Sequence, residues 1–286
     1  MFVLYMALLW SLPFVGLPCA LVALYFGRAN DIAALVAFYL ALGAFISRAT
    51  QPKPLGAEPS DVPHLTLCHP HGIICTGVGV LIVGDRVWNA RRRSMFGPPH
   101  FLAANVWLFF DFWTRCCGCR CSSSSRASVC ALMRANKDIY LFPGGFVEAA
   151  RHDHRKDVVD VGSRGAIRLA LKHGYAVRVC FAFGERETAY NLQGLWAPRI
   201  WLAKHGVPTV VPLLRLFGCA PRVALSPTLQ LPLLESPTDS DVERWHSEYV
   251  AALRELYGRH RRPGDELVVH DTFAARKDRT AAPVVY

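Results

Sequence analysis

Leu65-Thr-Leu-Cys-His-Pro-His-Gly72 sets a short, mostly apolar run against two imidazoles that are separated by one proline and followed by a glycine. The run His64 to Cys68 reads as a strand, which puts both rings at its tip. Proline fixes one backbone dihedral and glycine permits a sharp exit, so the rings are held rather than left to swing. Imidazole titrates near pH 6.5, so it can take a proton from a hydroxyl at ordinary pH. The competing reading is a turn whose histidines are solvated, or bound to a metal together with His152 or His154.

Outward from this strand, short apolar runs alternate with helical periods, the pattern of an α/β fold with a mixed central sheet flanked by helices. Asp138-Ile-Tyr-Leu-Phe142 reads as a strand running into Pro143-Gly-Gly-Phe-Val-Glu148, where a glycine turn brings backbone N–H groups close and a carboxylate follows. Glu148 is either an acid favoured by a helix start or a partner for the histidines. Ala176 to Phe181 is the next strand and leads into Phe183-Gly-Glu-Arg-Glu187, whose two carboxylates around an arginine form an ion-pair network or help orient a base.

Helical periods cover Ser122 to Ala135, with serines to cap its start, and Asp160 to His173, with Gly174 as its stop. Arg164, Arg168 and Lys172 form a stripe on the second of these, either solvated or suited to clamping phosphates. Ser240-Asp-Val-Glu243 has the spacing of a capping box. It opens a helix with Val242, Trp245, Tyr249, Val250, Leu253, Leu256 and Tyr257 as its apolar face, ending in Arg259-His-Arg-Arg262. A short strand is expected beyond Asp265. Trp196 to Phe217 is apolar and proline-punctuated, fitting an acyl tunnel or a bilayer contact.

Phe2 to Phe26 and Ile32 to Ile46 carry no charge, and Arg28-Ala-Asn-Asp31 joins them. This predicts a retained, membrane-embedded helical hairpin over residues 1–50 in preference to a cleaved signal peptide. A linker rich in proline then opens one domain over 51–286, and Arg48 and Lys53 keep that domain on the cytosolic side. The hydrophobic share of 52% and the charge of +10 agree with a protein that meets a membrane or a polyanion. Arg91-Arg92-Arg93 is a solvated face or a lipid contact, and Phe101 to Trp113 is core or membrane surface. No recognised nucleic-acid module carries the charge. Ten cysteines without framework spacing read as reduced thiols, and the Cys116-Cys117-Cys119-Cys121 cluster lacks the paired spacing of a zinc site.

His69-Pro-His-Gly72, Phe142-Pro-Gly-Gly-Phe-Val-Glu148, Arg164-Gly-x2-Arg-Leu-Ala-Leu-x-His-Gly174, Phe183-Gly-Glu185 and His246-x2-Tyr-x2-Ala-Leu-x2-Leu-Tyr257 occur in an order that resembles the type-2 diacylglycerol acyltransferase family. Monoacylglycerol and wax-alcohol acyltransferases share that family. The resemblance spans roughly residues 60 to 262. It implies a glycerolipid-acyltransferase-like fold and an enzyme of the endoplasmic reticulum membrane or lipid droplet. Such an enzyme moves a fatty acyl group from acyl-CoA, its co-substrate, to a glycerolipid hydroxyl, with diacylglycerol giving triacylglycerol as the leading case. No cofactor or metal is implied, and a homo-oligomer is compatible. His69 and His71 inherit the catalytic role, with Glu148 beside them. The family's Leu-Val-Pro reads Val177-Arg-Val179 here, and its late Gly-x-Pro appears as Ser226-Pro-Thr228. The His-x4-Asp box of glycerol-phosphate acyltransferases is absent at both histidines, where Ile74 and Thr76 stand in place of the aspartate.

The residues support the same chemistry without the resemblance. A thioester is already activated, so one histidine that deprotonates the acceptor alcohol suffices. His71 is expected to be the base and His69 its support. Gly72, Gly144 and Gly145 offer backbone N–H groups to an oxyanion, Arg164 and Arg168 face CoA phosphates, and Glu185 orients the base or binds substrate. No Gly-x-Ser-x-Gly elbow occurs. The alternative function is a non-catalytic, membrane-anchored protein that binds acyl-CoA or lipid on the same fold.

Overall fold

A computed structural model describes residues 62–73, 75, 77, 95, 99–103, 120–191, 193–207, 209–210, 212–214, 221–271 and 284–285. The expected hairpin over 1–50, the linker, the domain boundary at 51, Arg91 to Arg93, and Cys116, Cys117 and Cys119 lie outside these residues. So does most of Phe101 to Trp113.

The central sheet is built on β1 (His64–His69), every residue of which is buried. β4 (Ile139–Leu141) and β6 (Ala176–Phe183) flank it, both parallel to it. Beyond β4 come β2 (His100–Ala103) and β3 (Arg120–Ser123), also parallel, and β9 (Arg222–Leu225) closes the other edge antiparallel to β6. The order β3-β2-β4-β1-β6-β9 is therefore mixed, with β1 at its centre. Strands buried on both faces read as continuous apolar runs, which is why β1, β4 and β6 stand out in the sequence. In a second sheet β10 (Leu267–His270) lies parallel to β5 (Asp157–Asp160) and antiparallel to β11 (Val284–Val285). β7 (Ala189–Asn191) and β8 (Pro212–Leu214) form a separate antiparallel pair.

Five α-helices are described, α1 (Arg126–Arg134), α2 (Gly145–Ala150), α3 (Arg164–His173), α4 (Trp196–Lys204) and α5 (Asp239–His260), with a 3-10 turn at Glu185–Glu187. α3 buries Ala166, Ile167, Ala170 and Leu171, and stops at Gly174, whose φ of 64° is the left-handed cap that glycine adopts freely. The apolar face predicted for α5 is buried at Val242, Tyr249, Val250, Leu253, Leu256 and Tyr257, while Trp245 is only partly covered. Fully burying each such side chain contributes roughly 1.5–3 kcal/mol. The α5 face thus holds the helix firmly against β6 and α3.

Several expected boundaries move, each for a local reason. Ser122 belongs to β3, because Arg120 to Ser123 pairs residue by residue with His100 to Ala103. The helix after it starts at Arg126, capped by Ser125, whose hydroxyl accepts from the Ser128 N–H. Asp160 ends a strand rather than opening a helix, since Asp157 to Asp160 pairs with Leu267 to His270. The capping box sits two residues earlier than expected. Thr238 and Asp241 exchange the two bonds, and Glu243 instead receives the Arg164 guanidinium. Trp196 to Phe217 supplies α4 and β8. The strand expected beyond Asp265 is β10. Cys68, Cys75, Cys121, Cys130 and Cys180 are free thiols. Among the described residues no helix is long and apolar enough to cross a membrane, and no group of histidine, cysteine or acidic side chains could hold a metal ion. His152, offered as a ligand in the metal reading, instead donates from Nε2 to the Ala189 carbonyl.

Candidate active site

β1 delivers His69 at its last position and His71 two residues past its end, across a cis His69–Pro70 bond. The β4 strand beside it runs out into the glycine turn and α2, which carries Glu148 back toward the histidines. Both features come from the parallel pairing of Leu65 to Leu67 with Ile139 to Leu141.

The two imidazoles sit in different environments. His69 is fully buried, and both ring nitrogens are engaged. Nδ1–H donates to Glu148 Oε2 at 3.1 Å, and Nε2 faces the Tyr249 hydroxyl at 2.5 Å. Burial, followed by the nearby Glu148 charge, pushes the Tyr249 phenol well up, so it keeps its proton and donates it to Nε2. His69 therefore has no lone pair free for a substrate. His71 is partly buried, with Phe142 at 4.8 Å and Phe146 at 6.5 Å between ring centres. Its Nδ1 lies 2.9 Å from the Gly72 carbonyl, which can only accept, so the proton sits on Nδ1 and Nε2 carries a lone pair. Burial lowers the His71 pKa from its ordinary value. Cys75 Sγ stands 3.5 Å from Nδ1 and 3.8 Å from Nε2. Burial and the Glu185 and Glu148 charges push that thiol well up, which keeps it a neutral neighbour rather than a thiolate nucleophile.

Glu148 is the hub of the site. Oε2 accepts from His69 Nδ1 and from the Asp160 N–H at 2.8 Å, and Oε1 accepts from the His71 N–H. Asp160 is itself fixed by Arg151 at 2.7 Å and by the Gly162 N–H at 3.0 Å. The glycines of the two turns make room for these carboxylates. A side chain at Gly144 would run into the Glu148 carboxylate, and one at Gly72 would run into Glu185. Glu185 is fully buried and accepts from the Gly77 N–H at 2.7 Å, so it packs beneath the histidine turn. Gly145, at φ 47°, opens α2 with nothing against it.

Gly72→Ala is accordingly expected to damage both fold and function. An L-residue at φ 62° costs about 1–2 kcal/mol, and the added methyl also meets Glu185. The Gly72 carbonyl that sets the His71 tautomer must then move. A drop in melting temperature with a more than tenfold fall in turnover is the expected pair of results. Unchanged kinetics in the folded variant would show that this carbonyl does not set the ring.

The structure thus gathers His69, His71, Gly72, Gly144, Glu148 and Glu185 around one turn. Arg164 and Arg168 are committed elsewhere. Arg164 pairs with Glu243 and Asp271, and Arg168 with Asp239 and the Pro237 carbonyl, so the stripe staples α3 to α5. Two participants escape a sequence reading. Tyr249 occupies a packing position on α5, and its only signal is a hydroxyl where a leucine would serve. Asp160 sits at the end of a short strand that resembles a helix start.

A family model described as diacylglycerol acyltransferase matches residues 59–195, the stretch that carries both histidines, Glu148 and Glu185. Among curated proteins, mouse acyl-CoA wax alcohol acyltransferase 2 is 25% identical, over 70% of this chain and 66% of its own length. Human 2-acylglycerol O-acyltransferase 3 is 23% identical over 71% of this chain and 66% of its own length. Diacylglycerol O-acyltransferase 2 of Xenopus tropicalis is 22% identical, over 71% and 62%. The chain spans just under two thirds of the length of these relatives. No solved structure matches it. The ordered blocks and the family match fall on the same turn, strand and helix starts, and over this stretch the chain is similar to the type-2 diacylglycerol acyltransferases.

Proposed function

We propose that this protein is an acyl-CoA-dependent O-acyltransferase that moves a fatty acyl group to a glycerolipid hydroxyl, with diacylglycerol as acceptor and triacylglycerol as product. The observation that carries the reading is the division of labour between the imidazoles, one locked on both sides and one with Nε2 bearing a lone pair. His71 Nε2 takes the proton of the acceptor hydroxyl as its oxygen attacks the thioester carbonyl. The tetrahedral intermediate collapses with loss of the C–S bond, and the imidazolium returns the proton to the departing CoA thiolate. Backbone N–H groups near Gly72, Gly144 and Gly145 are the candidate donors to the oxyanion. His69, Glu148 and Tyr249 act as positioning residues that hold the turn. Acyl-CoA enters as a co-substrate with no resident cofactor, and the endoplasmic reticulum membrane is the setting that fits a lipid acceptor.

Membranes containing the protein, given labelled acyl-CoA and a panel of diacylglycerol, monoacylglycerol and wax-alcohol acceptors, test this directly. Acyl esters formed by the wild type and lost in His71→Ala support the reading. Binding of acyl-CoA without any ester favours the scaffold alternative.

The rate should also report the lowered pKa of His71. A general base works in its neutral form, and lowering its pKa keeps it neutral further into acid. The kcat/KM profile is therefore expected to be level through pH 7, with its acid limb below the ordinary imidazole value of about 6.5. A limb centred above pH 7 would exclude His71 as the titrating group.

A further inference from the structure

Thr188 to Leu234 contains no aspartate or glutamate, although the chain carries 22 of them, and within this span the surface turns apolar. Of the eight large hydrophobic residues exposed among the described ones, five lie between positions 190 and 207. Leu195 is 76% exposed, Trp201 60%, Val207 45%, Trp196 41% and Tyr190 39%. Trp196 and Trp201 lie on α4, Leu195 and Val207 beside its two ends and Tyr190 on β7, a local concentration rather than single scattered apolar residues.

We infer that α4 is an interfacial element, which lays Leu195, Trp196 and Trp201 into the headgroup region of an anionic bilayer. Tryptophan suits that depth, since its ring is apolar and its N–H stays solvated. The polar residues at the helix end fit the same surface. Lys204 and His205 lie exposed at the end of the helix beside Trp201, whose ring is 4.4 Å from that of His205. An aromatic face that carries the exposed Lys204 complements anionic lipid.

The helix is fastened, so its outward face is built into the fold. Arg199 donates to the carbonyls of Thr209 at 3.0 Å, Gly194 at 3.2 Å and Ala150 at 3.1 Å, and to Asn191 Oδ1 at 3.0 Å. Ala150 is the last residue of α2, the helix that carries Glu148. The proposed lipid face and the candidate catalytic turn thus hang from the two ends of one short element. A lipid acceptor held at the bilayer surface would arrive beside the site. This last consequence rests on the acyl-transfer reading, whereas the lipid contact does not.

The test uses the full chain in vesicles of phosphatidylcholine and phosphatidylserine doped with a photoactivatable diazirine phospholipid, with adducts mapped by mass spectrometry. Adducts on residues 195–204 of the wild type are expected, and Trp201→Glu together with Leu195→Glu should cut their yield at least fivefold. The same variant should raise KM for a bilayer-dispersed acceptor at least fivefold and leave kcat on a short-chain soluble acceptor unchanged. A labelled protein whose 195–204 stretch carries no lipid overturns the proposal. So do crosslinks showing that stretch covered by another part of the chain or by a second copy. Adducts in an enzyme that transfers no acyl group would retain the lipid face and reject the acyl-transfer reading.

Discussion

His71→Ala is expected to lower kcat/KM by about 10²–10⁴-fold, the usual contribution of a positioned general base, with only a small loss of stability. The ring is partly buried, and its Nδ1–H donates to a carbonyl at the edge of the site, so removal strands no buried charge. Losing that one bond costs on the order of 1 kcal/mol. His69→Ala should behave in the opposite way. It leaves the Glu148 carboxylate and the Tyr249 phenol facing a cavity, both nearly inaccessible to solvent. About 3–5 kcal/mol of stability should go with it, as when one partner of a buried polar pair is removed. Melting curves and single-turnover rates on both variants separate the roles. A folded His69→Ala with no activity beside an active His71→Ala would exchange the assignments.

The candidate turn was readable because its chemistry is compressed into contiguous residues. A strand, two imidazoles and a glycine are adjacent in sequence, and so are the Pro-Gly-Gly turn and Glu148. Which imidazole is free was not readable, because that depends on Tyr249 and Gly72, and Tyr249 lies 180 residues from His69. A buried hydroxyl on an amphipathic helix has the same periodicity as packing, so only the fold discloses its partner. The β5 strand was lost for a related reason. Its four residues end in Asp160, and Asp160-Val-Gly-Ser163 followed by a helical period imitates a helix start. The partners of Arg164 and Arg168 were hidden for a further reason. Glu243, Asp271 and Asp239 come from the far end of the chain, and a basic stripe looks identical whether it meets solvent, ligand or a neighbouring helix.

Glu148→Gln carries the second large expected effect, and it separates a clamp from a reacting group. The carboxylate accepts three N–H donors, from His69, His71 and Asp160, while only 1% exposed. A carboxamide offers one acceptor oxygen in place of two. If that oxygen serves His69 and Asp160, the new NH2 points at the His71 N–H. If it serves His71, the NH2 meets the other two donors. Either orientation leaves buried donors facing each other, and each unsatisfied group costs about 1–3 kcal/mol. A loss of roughly 2–4 kcal/mol follows, which in a domain of this size lowers the melting temperature on the order of 5–15 °C. Turnover should fall further than stability, because the His71 N–H bond holds the proposed base in place. If the carboxylate acts only through the turn it holds, the loss should appear in kcat with KM for acyl-CoA little changed. A variant that melts like the wild type yet is inactive would place Glu148 among the reacting groups. One that melts and turns over like the wild type would remove it from the site altogether.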